Sequence, residues 1–101
     1  MSAPDLSSPV TRHDYAHYVW IGCRQALETA AAASTSPEPL HVRAQIHDST
    51  VRRVIRGQDR LTIDTFTLLA VTLGLDPVTI LRTAVEDATA AIREAQEDPA
   101  T

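Results

Sequence analysis

Apolar residues recur along this chain at the three- and four-residue spacing of helices, in stretches separated by proline, glycine and short polar breaks. The first stretch sets Ala16, Val19, Trp20, Cys23, Leu27 and Ala30 on one face and predicts a helix from about Arg12 to Ala33. Ser36-Pro37-Glu38 then reads as a helix start. Ser36 is the cap and Pro37 takes the first helical position, where its missing N–H costs nothing. A short second helix follows to Ala44, and Gln45-Ile46-His47 makes a turn. The third helix spans about Asp48 to Arg56, with Val51 and Val54 inward and Arg52, Arg53 and Arg56 outward, and Gly57 suits a left-handed C-cap.

Thr62 can cap a fourth helix that turns Phe66, Leu69, Ala70 and Leu73 inward, with Leu61 beside them, and stops at Gly74. Asp76-Pro77 opens a fifth. Its repeat of Leu81, Ala84/Val85, Ala88, Ala91/Ile92 and Ala95 runs to about Gln96, some turns beyond what a compact five-helix domain needs. That stripe requires cover, either from a second copy or by folding back onto the first helix. Residues 1–10, with two prolines, three serines and no periodicity, read as a disordered tail. Residues 11–97 form one domain, and 98–101 a second tail.

Length and composition narrow the fold class to all-α. The chain has 101 residues, 44% of them hydrophobic but only 4% aromatic, so the core comes from Leu, Ile, Val and Ala. Helix on helix is the economical way to pack it. The single Cys23 excludes an intramolecular disulfide and a multi-cysteine metal site, which points to a reducing, cytoplasmic compartment. No apolar run approaches the roughly 18 residues of a membrane span, and neither a basic start nor a signal-like apolar block is present. Secretion and membrane insertion are not expected. All nine basic residues are arginine, a bias attributable to GC-rich coding.

A net charge of −4 argues against a nucleic-acid partner until its distribution is considered. Residues 41–60 carry Arg43, Arg52, Arg53, Arg56 and Arg60 against Asp48 and Asp59, a net of +3, with His41 and His47 in addition. Residues 61–101 carry two arginines against seven carboxylates, a net of −5. One region suits DNA and the other avoids it.

Residues 36–81 resemble the Cro/cI-type, or XRE-type, helix-turn-helix family. The matching positions are Ser36, Leu40, Ile46, Ser49, Thr50, Val51, Val54 and Gly57, then Leu73-Gly74-Leu75 at the expected distance. The chain departs from the family pattern at Pro37, His41 and Gln45. Ile55 stands where the family often has Glu, and Ala30 falls where an arginine commonly pairs with it. An ion pair replaced on both sides by apolar groups is compatible with the fold. The resemblance implies a five-helix, lambda-repressor-like domain with its helix-turn-helix at 36–57 and a long C-terminal helix at 76–97.

The resemblance also implies site roles. Asp48, Ser49, Arg52 and Arg53 fall at positions that read bases, and Arg53 can bridge guanine O6 and N7. Asp48 has a second reading as the cap of the third helix, which is favoured because His47 is a poor cap. Arg43, His47, Thr50, Arg56, Gln58 and Arg60 are candidates for phosphate contact. Leu81, Val85, Ala88 and Ile92 are a candidate homodimer seam, since two copies across a two-fold site are the usual arrangement.

Other constellations carry less. His13 and His17 share a helix face at metal-pair spacing but lack a third ligand, and His13-Asp14 and His47-Asp48 resemble metal phosphohydrolase dipeptides without the rest of such a site. Three glycines cannot build a phosphate-cradling loop. No cofactor, metal or small-molecule ligand is implied. The sequence thus predicts a non-enzymatic regulator that occupies operator DNA, such as a phage-type immunity repressor or Cro-like repressor. The alternative is an antitoxin or anti-repressor-type module that uses the same fold and its acidic C-terminal region to bind a protein.

Overall fold

The structure is a computed structural model and describes residues 3–97. It contains α1 (Pro9–Ala33), α2 (Leu40–Ala44), α3 (Asp48–Ile55), α4 (Ile63–Thr72) and α5 (Pro77–Glu97), with no strand among the described residues. No single described helix is long and apolar enough to cross a membrane. Residues 98–101, read as a tail, lie outside the described residues.

The two long helices run antiparallel. Gly22 of α1 meets Ala84 of α5 so closely that a Cβ on Gly22 would stand 2.9 Å from the Ala84 Cβ. Further along, Tyr15 Oη lies 3.0 Å from Thr89 Oγ1. Beyond that, the Gln96 side-chain amide accepts from the Asp5 N–H (3.0 Å) and donates to the Asp5 carbonyl (2.7 Å). Ala84, Ala88 and Ile92 are buried along this register. The first half of α1 therefore covers the apolar stripe of α5. Of the candidate dimer seam, Ala88 and Ile92 are buried within the chain and Val85 is half-buried, leaving only Leu81 exposed. Folding back, rather than a second copy, satisfies that stripe.

The second half of α1 serves the other helices. Cys23 and Leu27 join Ala44, Val51, Val54, Phe66, Leu69 and Ala70 in one core, with Leu27 and Leu69 fully enclosed. The result is a head of α2, α3 and α4 on the second half of α1, and a two-helix stalk beyond it. With extents of 51 × 22 × 22 Å, the molecule is more elongated than a compact five-helix domain. The Cys23 thiol sits in this core, where burial pushes its pKa up.

Three element boundaries differ from those the sequence predicts. α1 begins at Pro9 rather than Arg12, inside the segment read as a tail, and before it Asp5 accepts from the Ser7 N–H and hydroxyl in a local turn. α2 begins at Leu40 rather than Pro37, because Pro39 disfavours helical backbone at Glu38. Ser36 Oγ there accepts the Glu38 N–H, in a local turn. At α3 the cap is His47, whose Nδ1 accepts from the Ser49 N–H at 3.2 Å. Asp48 lies in the first turn, where its carboxylate suits the positive end of the helix dipole. Two expected caps are present: Thr62 accepts from the Thr65 N–H for α4, and Asp76 from the Val78 N–H for α5.

One device ends α2, α3 and α4 alike. A residue at positive φ donates to the carbonyl three positions back, and the next residue to the carbonyl five back. Glycine fills this position at Gly57 and Gly74, but Gln45 fills it after α2 at φ 57°. Replacing Gln45 by Gly removes the Cβ clash of left-handed backbone, which outweighs the entropy glycine loses on folding. Gln45→Gly should stabilise the protein by about 1 kcal/mol and raise its melting temperature by several degrees. Gly22→Val should do the reverse, prising α1 from α5 at a cost of about 2 kcal/mol, measured by the same thermal melt.

Candidate nucleic-acid interface

α3 is two-faced for a simple reason: at 100° per residue, Val51 and Val54 fall opposite Ser49, Arg52, Arg53 and Arg56. The valines are buried in the core and the three arginines are exposed. Gln58 and Arg60 continue the exposed surface into the loop after α3. Ser49 and Thr50 are half-buried at the start of the helix, and Ser49 Oγ lies 2.8 Å from His47 Nδ1. The structure thus brings together most of the residues singled out from the sequence, on one helix and its following loop.

Their charges are not equally available. Arg52 Nη2 is 3.2 Å from Asp48 Oδ2, so one of its terminal nitrogens is engaged. Asp48 also holds His41 Nδ1 at 3.3 Å, which ties α2 to α3 across the turn. Arg53 is held differently. Its Nε lies 3.0 Å from Asp59 Oδ2, and the Asp59 N–H donates to the Arg53 carbonyl at 3.3 Å. That arrangement engages the guanidinium through its Nε. Arg56 and Arg60 make no ion pair among the described residues.

Arg43 has another task than the phosphate contact expected of it. Its Nε donates to the Glu38 carbonyl (3.1 Å), Nη1 to the Thr72 carbonyl (3.4 Å) and Nη2 to Ser34 Oγ (3.2 Å). It clamps the α1–α2 connection to the end of α4. His47, also a phosphate candidate, spends its Nδ1 on capping α3.

The pattern of apolar positions gave no sign of Arg24. From the second half of α1 it donates through Nη1 to the Ile55 carbonyl (2.9 Å) and to Glu28 Oε2 (2.8 Å). A cation on the last carbonyls of α3 satisfies an orphan acceptor and suits the negative end of the helix dipole. The guanidinium also lies 6.0 Å from the Trp20 ring centroid, at the limit of a cation–π contact. Gly57 crosses just outside it, where a Cβ would stand 3.2 Å from Arg24 Cδ and Nε. Positive φ and this close approach together account for glycine at that position. The legible signal was spacing: Trp20, Arg24 and Glu28 lie one helical turn apart beside the Cys23–Leu27 face.

A groove lined by His17, Trp20, Gly57, Gln58, Asp59 and Arg60 separates α1 from the loop after α3. His17 stacks against Trp20 there, with ring centroids 5.4 Å apart. No group of three or more His, Cys, Asp or Glu side chains among the described residues is placed to hold a metal ion.

Arg24→Met keeps the apolar stem and removes the donor to Ile55, with an expected loss of about 1–2 kcal/mol in denaturant unfolding. Glu28→Gln, which removes only a half-exposed ion pair, should change stability by less than about 0.5 kcal/mol. Comparison of the chain with protein-family models, curated proteins and solved structures found no match.

Proposed function

We propose that the protein is a sequence-specific DNA-binding regulator of transcription that represses by occupying its operator in the cytoplasm. In this reading α2, the Gln45-Ile46-His47 turn and α3 act as a helix-turn-helix of the Cro/cI type, and α3 enters the major groove. The observation that carries the reading is the arginine face of α3, directly opposite the valines that anchor the helix in the core. Phosphate contacts from Arg56, Arg60 and Gln58 position the helix, and base edges are read by Ser49, Arg53 and Arg52.

Arg53 is best suited to read guanine. Bidentate pairing with O6 and N7 requires two adjacent N–H donors, and the Asp59 contact, made at Nε, restrains the side chain's rotation. Asp59 then acts as a positioning residue. Its negative charge also weakens attachment to phosphates in general, which lowers affinity for unrelated DNA.

The test begins with selection of duplexes from a random pool, followed by titration of the selected and scrambled sequences. Two phosphates neutralised by Arg56 and Arg60 predict a loss of about tenfold in affinity per bound copy between roughly 50 and 200 mM salt. Arg53→Ala should cost about 1–3 kcal/mol on the selected sequence and much less on the scrambled one. Asp59→Asn should strengthen scrambled binding several-fold while narrowing the preference for the selected sequence by about tenfold. Recovery of no preferred sequence, with Arg52, Arg53 and Arg56 all changed to Ala at no cost to binding, would overturn the DNA reading. It would favour a protein-binding module that works through the acidic C-terminal region.

A further inference from the structure

Two groups of Ser49 converge on one atom at the start of α3. His47 Nδ1 accepts from the Ser49 N–H at 3.2 Å and lies 2.8 Å from Ser49 Oγ. An uncharged imidazole carries a hydrogen on one nitrogen only, and an Nδ1 that accepts from a backbone N–H leaves that hydrogen on Nε2. At 2.8 Å one atom of the Nδ1–Oγ pair must donate, and only the Ser49 hydroxyl has a hydrogen to give. The hydroxyl hydrogen is therefore committed to the ring. What Ser49 offers to its surroundings is the lone pairs of Oγ.

A proton on the ring reverses this bond. Imidazolium carries hydrogens on both nitrogens, so Nδ1 can no longer accept from the Ser49 N–H, but it can donate to Ser49 Oγ. The hydroxyl hydrogen is then released and Ser49 gains a donor. Imidazole is the side chain that changes charge between about pH 5 and 8, and His47 is exposed, so a proton reaches it without any opening of the fold. The charged groups of the helices around it have other partners. From α2, His41 holds Asp48, and Arg43 bonds to Glu38, Thr72 and Ser34. From α3, Asp48 also holds Arg52, and Arg53 holds Asp59. From α1, Arg24 bonds to Glu28 and to the Ile55 carbonyl at the far end of α3. None of them makes an ion pair with His47 among the described residues.

We propose that His47 sets the hydrogen-bonding polarity of the Ser49 hydroxyl and so makes base preference at one position of the DNA site depend on pH. This rests on the DNA reading above, in which Ser49 meets a base edge. In the major groove cytosine and adenine present an amino group, whereas guanine and thymine present a keto oxygen. With the ring neutral, Ser49 offers only an acceptor and selects an amino-bearing base. With the ring charged, it offers a donor as well and pairs with keto-bearing bases too. The added positive charge also strengthens attachment to phosphate in general, so acid broadens the range of sites bound. His47 acts through Ser49, as a positioning residue.

Nitrogen NMR spectra of the histidine rings in the full chain, without DNA, test the first half. At about pH 8 the His47 ring should carry hydrogen on Nε2 alone, and on acidification Nδ1 should gain one as the Ser49 amide signal shifts. Hydrogen on Nδ1 of the neutral ring would overturn the proposal. Selection of duplexes at about pH 5.5 and about pH 8 tests the second half. The preference for an amino-bearing base at one position should be several-fold at the higher pH and shrink towards parity at the lower. His47→Asn keeps an acceptor for Ser49 but cannot titrate, and should hold the preference at both. His41→Asn, which removes the other titrating ring of the turn, should respond to pH as the parent does. Ser49→Ala should lose the preference at both. A parent preference equal at the two pH values, or one that still changes in His47→Asn, would overturn the proposal and leave the DNA reading standing. A parent that selects no sequence at either pH, while its ring titrates as expected, would overturn the DNA reading and this use of the hydroxyl with it.

Discussion

Two antiparallel helices can approach as closely as α1 and α5 do only where the side chains at their crossing are small, and Gly22 against Ala84 meets that condition. Interiors are packed densely enough that an added methyl at such a point must be absorbed by movement. The consequences spread because α1 is shared. Its first half covers the stripe of α5, while its second half supplies Cys23 and Leu27 to the core that seats α3. The orientation of the arginine face is thus referred, through Leu27 and Arg24, to a helix whose own position is set by a contact between two of the smallest side chains.

The arginines divide the work between structure and surface. Arg43 uses three nitrogens on three acceptors, and Arg24 places one nitrogen between a carbonyl and a carboxylate. A lysine could not reproduce the three-nitrogen geometry of Arg43 with a single ammonium group. The arginines on and after α3 are held loosely or not at all. Arg52 and Arg53 make exposed pairs, which are weak in water, and Arg56 and Arg60 are unpaired among the described residues. Rigid cations fix the helices and loose cations face outward, so the two sets do not compete.

Hydrophobic spacing made the helices legible, together with the inward valines of α3, the glycine that ends it, and the caps at Thr62 and Asp76. It could not say which helix covers which stripe. The repeat from Leu81 to Ala95 reads the same whether its partner is a second copy or α1, and only the close approach at Gly22 selects α1. The cap of α3 is not legible in the sequence because imidazole is an uncommon N-cap, yet a ring nitrogen accepts an N–H as a carboxylate does. Proline misled at α2, since Pro37 suits a helix start while Pro39 forbids the turn that would follow it. Arg24 and Arg43 were invisible in their true roles because both bond to backbone carbonyls distant in sequence, and a carbonyl leaves no mark in a residue pattern.

The pairing of Gln96 with the backbone of Asp5 brings the two ends of the described chain together, at the tip of the stalk and away from the head. Head and termini are separated by the fifteen or so residues of α1 between Pro9 and Arg24, roughly 22 Å of helix. The order in which the helices are threaded is therefore only loosely bound to the shape they make. A short polar link could close the chain from Glu97 to Asp5, and the exposed connection between Ser34 and Pro39 could be opened in exchange. The same α1–α5 crossing and the same arginine face would then be reached from a chain that begins at α2 and ends with α1.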